Sequence, residues 1–345
     1  MKKVLLAVSA LAIFAGPALA RDQIRIVGSS TVYPFTTTVA ENFGKTSGMK
    51  TPVVESTGTG GGMKLFCASV GEDSPDMTNA SRRIKKSEFE DCAKNGVTEI
   101  VEVKIGFDGL TIAASKDAPA MKLTKQQVFM ALAKQVPDAD GKLVDNPYKM
   151  WSDVDASLPA SKIEVLGPPP TSGTRDSFME LAMEVGAAKF KSLEALKKSD
   201  AKAFEAVWKS IREDGAYVEA GENDNLIVQK LQANPAALGI FGFSFLEENA
   251  SSIKGLEIDG VAPAYETVAS GDYKMARPLY VYAKKQHVGV VPGIAEFVAE
   301  YVSDKALGAD GYLADKGLIA LPEADAEKSR AMATAMDVLK IDGLK

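Results

Sequence analysis

The sequence is poor in the residues that most often carry out chemistry. Among 345 residues there is one histidine, His287, and there are two cysteines, Cys67 and Cys92. A zinc site of His and Cys ligands is therefore nearly excluded, and a histidine-dependent triad would have to use His287. Aromatic residues are only 7% of the chain, and the formal charge is −6 with no block of Lys and Arg. Nucleic acid is excluded as the main partner on that ground, because phosphate-backbone binding needs clustered positive charge. Asp and Glu are spread without metal-ligand spacing, so no metal or cofactor is expected. Beyond residue 20 no run reaches the roughly 18 apolar residues of a spanning helix.

What is present fits a folded chain: 46% hydrophobic and 25% charged residues. The length favours two domains over one core. The first twenty residues read as a secretory signal peptide, with Lys2 and Lys3, an apolar run from Val4 to Ala15, and the small-x-small pattern Ala18-Leu19-Ala20. Cleavage after Ala20 would leave a net charge of −8 and an exported chain, most simply in a Gram-negative periplasm. In an oxidising compartment Cys67 and Cys92 are expected to form a structural disulfide.

Strand and helix signals alternate, which predicts an α/β architecture with largely parallel sheets. Strands are expected at 24–27, 52–55, 98–105, 110–114, 163–166, 238–243 and 278–283. The pattern predicts a helix opening at Pro34 with Phe35, Val39 and Phe43 on one face. Further helices are expected from Met63, from Arg175, over 224–231 and over 294–302. Gly106-Phe107-Asp108-Gly109 interrupts a strand and reads as a crossover between domains, and 278–283 as the return crossover. Trp151 and Trp208 read as packing residues. His287, beside Lys284 and Lys285, reads as surface.

Four segments share one order: a strand, a short run of Ser, Thr and Gly, then a helix. They are Ser29-Ser30-Thr31, Thr57 to Gly62, Ala80-Ser81-Arg82 and Thr171-Ser172-Gly173-Thr174. Each puts hydroxyls and free N–H groups at a positive helix end, the simplest anion site, and glycine admits a close approach of the backbone. Any one of them is also an ordinary N-cap. Four together, spread over both expected domains, point to convergence on one small oxyanion. Arg82 and Arg175 stand beside these caps, where a guanidinium can grip an oxyanion through two parallel bonds, whereas Arg83 reads as a surface residue. Competing motifs fail: Met63 stands where a dinucleotide fingerprint needs glycine, no P-loop follows, and no G-x-S-x-G surrounds a serine.

These residues resemble the periplasmic phosphate-binding proteins of the ABC-type phosphate importer, the PstS family. Gly28-Ser29-Ser30-Thr31-Val32-Tyr33-Pro34, Gly58-Thr59-Gly60-Gly61-Gly62-Met63-Lys64, Asn79-Ala80-Ser81-Arg82 and Ser172-Gly173-Thr174-Arg175 are similar to the family's four ligand loops. Arg277-Pro278-Leu279-Tyr280-Val281-Tyr282 is similar to its return crossover. Some members carry Asp where Arg82 stands and an arginine where this chain has three prolines, so the chain looks like the Ser-Arg branch.

The resemblance implies a type II periplasmic binding protein of two lobes, residues 22–107 with 275–345 and residues 108–274, joined by two hinge crossovers. It implies a binding protein, not an enzyme. Inorganic phosphate would be held by Ser30, Thr31, Val32, Thr59, Gly60, Ser81, Arg82, Asp108, Ser172, Gly173, Thr174 and Arg175. A monomeric protein would then deliver it to an inner-membrane permease. Asp108 is the candidate acceptor for the phosphate's proton, which would discriminate against sulfate; a turn-forming Asp beside Gly is the other reading. The same fold holding sulfate or molybdate, and a secreted phosphatase, remain as alternatives. The second lacks an activating base.

Overall fold

The computed structural model describes residues 21–71, 73–170, 172–220 and 224–344. The signal peptide expected over 1–20 and Thr171 of the fourth loop lie outside them. One sheet runs through the molecule. Its strands are β1 (Arg25–Gly28), β2 (Val53–Ser56), β3 (Met77–Ala80), β4 (Ile100–Ser115), β5 (Val165–Gly167), β6 (Tyr217–Glu219), β7 (Leu238–Gly242), β8 (Ile253–Gly255) and β9 (Ala276–Lys284). They lie in the order β2-β1-β3-β9-β4-β7-β5-β6, with β8 also on β4.

The parallel sheet expected from the sequence is present only at the two ends. β1 pairs parallel with β2 and β3, and β5 with β6 and β7. In between, β9 is antiparallel to β3 and β4, and β7 is antiparallel to β4. The reason is topological: the chain must leave the first half along β4 and return along β9, so these two strands oppose each other.

β4 is one 16-residue strand, not two strands broken at Gly106–Gly109. The glycines are absorbed by a bulge. Arg277 pairs with Asp108 and Leu279 with Gly106, but Tyr280 pairs with Lys104, which leaves Ile105 as the extra residue. Gly106 has φ +152°, and a Cβ there would lie 2.7 Å from the Ile319 carbonyl oxygen. Phe107 and Ile319 exchange both backbone bonds, at 2.8 and 3.1 Å, so a third segment is tied to the crossover.

The helices follow the apolar periodicity. α1 (Tyr33–Thr46) has proline in its first turn and buries Phe35, Val39 and Phe43. α2 (Thr59–Phe66) and α3 (Lys86–Lys94) follow β2 and β3. α4 (Gly173–Phe178) continues as a π-helix over Met179–Glu184, and α5 (Asp224–Ala233) precedes β7. α6 (Ile294–Tyr301) returns to the first half, where Phe297 meets Phe43 edge-on at 5.4 Å between ring centres. Core side chains form separate clusters on the two sides of the crossover. One contains Ile26, Val39, Phe43, Val103, Val281 and Phe297; another contains Leu110, Phe129, Trp151, Phe178, Trp208 and Phe241. Both tryptophans are thus core residues, and Ile319 and Leu321 join the second cluster.

Cys67 and Cys92 are bonded, as expected in an oxidising compartment, and link α2 to α3. Next to that staple the structure corrects the reading of His287, which is only 2% exposed. Its Nδ1 lies 2.6 Å from Asp76 Oδ1 and its Nε2 3.0 Å from the Val70 carbonyl. Both partners are acceptors, so the ring has reason to be buried that its basic neighbours in sequence conceal. Asp76 also accepts from Arg21 and from the backbone N–H of Arg25. Lys284 is buried as well, with Nζ 2.7 Å from both the Ser69 carbonyl and Ser74 Oγ.

Removing the staple with Cys67→Ser and Cys92→Ser should lower the unfolding free energy by about 3 to 4 kcal/mol on the chain-entropy account, measured by denaturant titration. Burial pushes Lys284 down to about 8, against the pull of Asp76. Above that pH the unfolded chain still holds a proton that the native chain has lost, so this group raises stability as pH climbs from about 8 toward 10.5. Subtracting the profile of Lys284→Met from that of the unaltered chain should isolate such a rise; a flat difference contradicts it.

Candidate functional site

The four Ser/Thr/Gly segments follow the carboxyl ends of β1, β2, β3 and β5, the edge where open α/β sheets bind ligands. Gly28, at the end of β1, has φ +126°, and a Cβ would lie 2.2 Å from the Asn79 carbonyl oxygen. A side chain on Gly62 would lie 2.4 Å from Gly28 Cα. These glycines let α2 and β3 close on β1. Gly60, by contrast, has nothing within 4 Å of where its Cβ would stand, so its backbone is open to close approach. It lies in the first turn of α2.

A cavity of about 410 Å³ opens at this edge between the two halves. Ser30 and Thr31 wall it from the first half, Ser172 and Thr174 from the second, and Asp108 and Gly109 from the crossover. Five expected residues therefore meet on one cavity. Ser30 Oγ donates to Asp176 Oδ2 at 2.7 Å across it. Ser172 caps α4 by accepting from the Thr174 N–H at 3.2 Å, and Gly173 opens that helix. Thr59 and Ser81 form a pair of their own: their hydroxyls are 3.0 Å apart, and Thr59 Oγ1 accepts from the Ser81 N–H at 3.1 Å. Val32 is fully buried, with its N–H directed to Ser29 Oγ at 3.4 Å.

The two arginines singled out by sequence sit apart from the cavity wall. Arg82 donates to both oxygens of Glu88, at 2.9 and 2.7 Å. That carboxylate raises the guanidinium above its ordinary pKa, and Glu180 adds to the effect from the other half. Arg175 is buried, lies 4.6 Å from the Tyr217 ring centre, and donates to the Pro168 carbonyl at 3.2 Å. The Tyr217 hydroxyl donates to the same carbonyl at 2.7 Å. Burial pushes that phenol up to about 12, opposed by Arg175, so it stays neutral beneath the loop.

Arg277 is the residue whose role the sequence does not disclose. Its Nη2 donates to Thr31 Oγ1 and Ser177 Oγ, each at 3.0 Å, and its Nη1 pairs with Glu180. Its Nε lies 3.6 Å from Asp108 Oδ2, and Ser177 Oγ donates to that same oxygen at 2.6 Å. Arg277 and Asp108 are directly opposed in the β4–β9 register, which puts both side chains on one face. With a lone pair of Thr31 taken by the guanidinium, the hydroxyl proton is directed elsewhere, as a donor to a cleft anion would require. Among the described residues no group of three His, Cys, Asp or Glu side chains could hold a metal ion, and no helix is long and apolar enough to cross a membrane.

This arrangement, two α/β halves with hydroxyls and helix ends facing a shared cavity, defines a ligand-binding receptor fold. Residues 15–305 match the PBP superfamily domain. The phosphate-binding protein PstS of Staphylococcus saprophyticus is 30% identical over 304 residues, covering 86% of this chain and 80% of that protein. Protein SphX of Synechocystis is 32% identical over 315 residues, covering 89% and 81%. The crystal structure of a possible phosphate binding protein from Planctomyces limnophilus superposes with a TM-score of 0.71 at 29% identity, covering 91% of this chain and 98% of that one. An ABC-type phosphate transport receptor from Vibrio cholerae, 20% identical with a TM-score of 0.58 and covering 87% of this chain and all of that one, shares the fold. The chain belongs to the PBP superfamily, in the family of the PstS and SphX proteins. The PstS, Planctomyces limnophilus and Vibrio cholerae proteins are named as phosphate-binding proteins and a transport receptor, not as enzymes.

Because Gly62 must pack on Gly28, Gly62→Ala should destabilise the chain by roughly 1 to 3 kcal/mol, while Gly60→Ala, in a helical turn with open space around it, should be neutral or stabilise by up to about 1 kcal/mol. Paired thermal unfolding of the two variants checks this; equal losses contradict it.

Proposed function

We propose that this protein is exported, captures inorganic phosphate in the cleft between its lobes, and delivers it as a monomer to an ABC permease in the inner membrane. The lobes are residues 22–107 with 275–345 and residues 108–274, and the leader is cleaved after Ala20. Nucleic acid has no part in it. One observation carries the reading: hydroxyls and helix ends from both lobes face a single cavity, with Arg277 and Asp108 joined at the crossover beneath them. The printed names of the Staphylococcus saprophyticus and Planctomyces limnophilus relatives support it independently.

Phosphate is held, on this reading, by Ser30, Thr31, Val32, Thr59, Gly60, Ser81 and Arg82 on one side and by Ser172, Gly173, Thr174 and Arg175 on the other. Hinge bending along β4 and β9 closes the lobes over it. Asp108 accepts the proton that phosphate keeps near neutral pH. Sulfate has no such proton and would meet the carboxylate lone pair to lone pair, at a cost of several kcal/mol. The phosphatase alternative has no histidine base to activate a loop serine, since the single histidine is taken up by Asp76 and Val70.

Calorimetric titration of protein refolded free of carried-over ligand is the test. Phosphate should bind at least a hundredfold more tightly than sulfate, and Asp108→Asn should narrow that gap. Equal binding of the two anions keeps the fold and discards the assignment. Arg82→Ala should weaken phosphate more than tenfold and Arg83→Ala less than twofold, since Arg83 is engaged by Glu102 on the outer surface. Equal losses would remove Arg82 from the site.

A further inference from the structure

Ser30 and Thr31 are neighbours in the first loop and both wall the cavity, yet charged groups fix their hydroxyls in opposite senses. Thr31 Oγ1 accepts from Arg277 Nη2 at 3.0 Å. One lone pair is used in that bond, and the Thr31 proton is left for the cleft. Ser30 does the reverse: its Oγ donates to Asp176 Oδ2 at 2.7 Å, a charge-assisted bond. A hydroxyl has a single proton, so Ser30 has only lone pairs left to offer the cavity. Among the described residues no group donates to them.

Asp176 is placed to hold that hydroxyl and do nothing else. It stands in the first turn of α4, half-buried and behind the cavity wall rather than on it. The bond to Ser30 is its one side-chain hydrogen bond among the described residues, and it joins the two halves of the molecule across 146 residues of sequence. Asp108 differs. It lies on the wall, and its Oδ2 already accepts from Ser177 and faces Arg277 Nε, which leaves Oδ1 for a ligand. The cavity therefore offers two acceptors for a ligand's proton. One is a carboxylate of the crossover; the other is a hydroxyl that a carboxylate holds in place.

We propose that Asp176 determines specificity through Ser30, holding its hydroxyl as an acceptor so that the cleft favours an oxyanion that carries a proton; the inference rests on the phosphate-receptor reading. A P–O–H of phosphate donates to Ser30 or to Asp108, while its bare oxygens accept from Thr31 and from backbone N–H groups. Sulfate brings acceptors alone. It must either meet Ser30 lone pair to lone pair or draw the hydroxyl away from Asp176, which leaves that carboxylate without its donor. Asp176 itself touches no ligand atom; it is a positioning residue. Because it comes from one half and Ser30 from the other, the polarity of Ser30 is set by the halves together and by neither alone.

The test measures the ratio of phosphate to sulfate affinity by calorimetry on the full chain freed of ligand, with sulfate read by its displacement of phosphate. It compares Asp176→Ala, Asp176→Asn, Ser30→Ala and the double variant Ser30→Ala/Asp176→Ala. Asp176→Ala frees Ser30 to donate and should narrow the ratio by roughly tenfold or more. Asn has no charge but keeps a carbonyl that accepts the Ser30 proton, so Asp176→Asn should narrow it less than threefold. With Ser30 already replaced, adding Asp176→Ala should move the ratio less than twofold. Equal narrowing by Ala and Asn would assign the effect to charge and overturn the proposal. A ratio unmoved by Asp176→Ala, or moved as much without Ser30 as with it, overturns it too, and both results leave the receptor reading intact. An unaltered chain that binds sulfate as well as phosphate would overturn the receptor reading and this inference with it, a result told from the others because no variant enters it.

Discussion

The site depends on the register of two long strands. Because Ile105 is bulged out of β4, Arg277 falls opposite Asp108 and both side chains stand on the cleft face. A shift of one residue would send them to the other face. The guanidinium then reaches Thr31 on one half and Ser177 and Glu180 on the other. A largely buried charge is costly unless it is paired, and here the two terminal nitrogens are met by groups of both halves, while Nε faces the Asp108 carboxylate of the crossover at 3.6 Å. Any motion between the halves must therefore rearrange the partners of Arg277. The crossover strands are thus hinge and floor of the site at once.

The charge of the chain makes local design necessary. A net negative protein does not draw an anion by its overall field, so attraction has to come from oriented dipoles and individual guanidinium groups. Helix ends after β1, β2 and β5 provide the dipoles. On the proposed reading Arg82, Arg175 and Arg277 supply the charge, and each is secured by a different device: a carboxylate, an aromatic face with a carbonyl, and a cross-strand partner. Carboxylates at Asp108, Asp176 and Glu180 stand among them. Such a mixed lining penalises an anion that brings only lone pairs and favours one that brings a proton.

Much of this was legible in the residues, and what was hidden has a physical reason. Local patterns carry local structure: Phe35, Val39 and Phe43 mark the buried face of α1, and the Ser/Thr/Gly runs mark the strand-to-helix junctions. The glycines at 106 and 109 mark the crossover correctly but suggest a break where the strand accommodates a bulge. Of the glycines after β2, Gly62 serves packing whereas Gly58 and Gly60 stand in open space, a division that no spacing reveals. Arg277 reaches Thr31 over 246 residues and His287 reaches Asp76 over 211. Such partnerships arise from sheet register and fold closure, so the sequence around each residue, basic in the case of His287, points the wrong way.

The most direct test of the account is the crystal structure of the protein grown with phosphate. The anion should place oxygens within about 2.7 to 3.2 Å of Thr31 Oγ1 and of backbone N–H groups at Ser172–Thr174 at the same time, with Arg277 still paired to Asp108. Phosphate bound by one lobe only, or found away from the crossover with the Arg277–Asp108 pair broken, would contradict it.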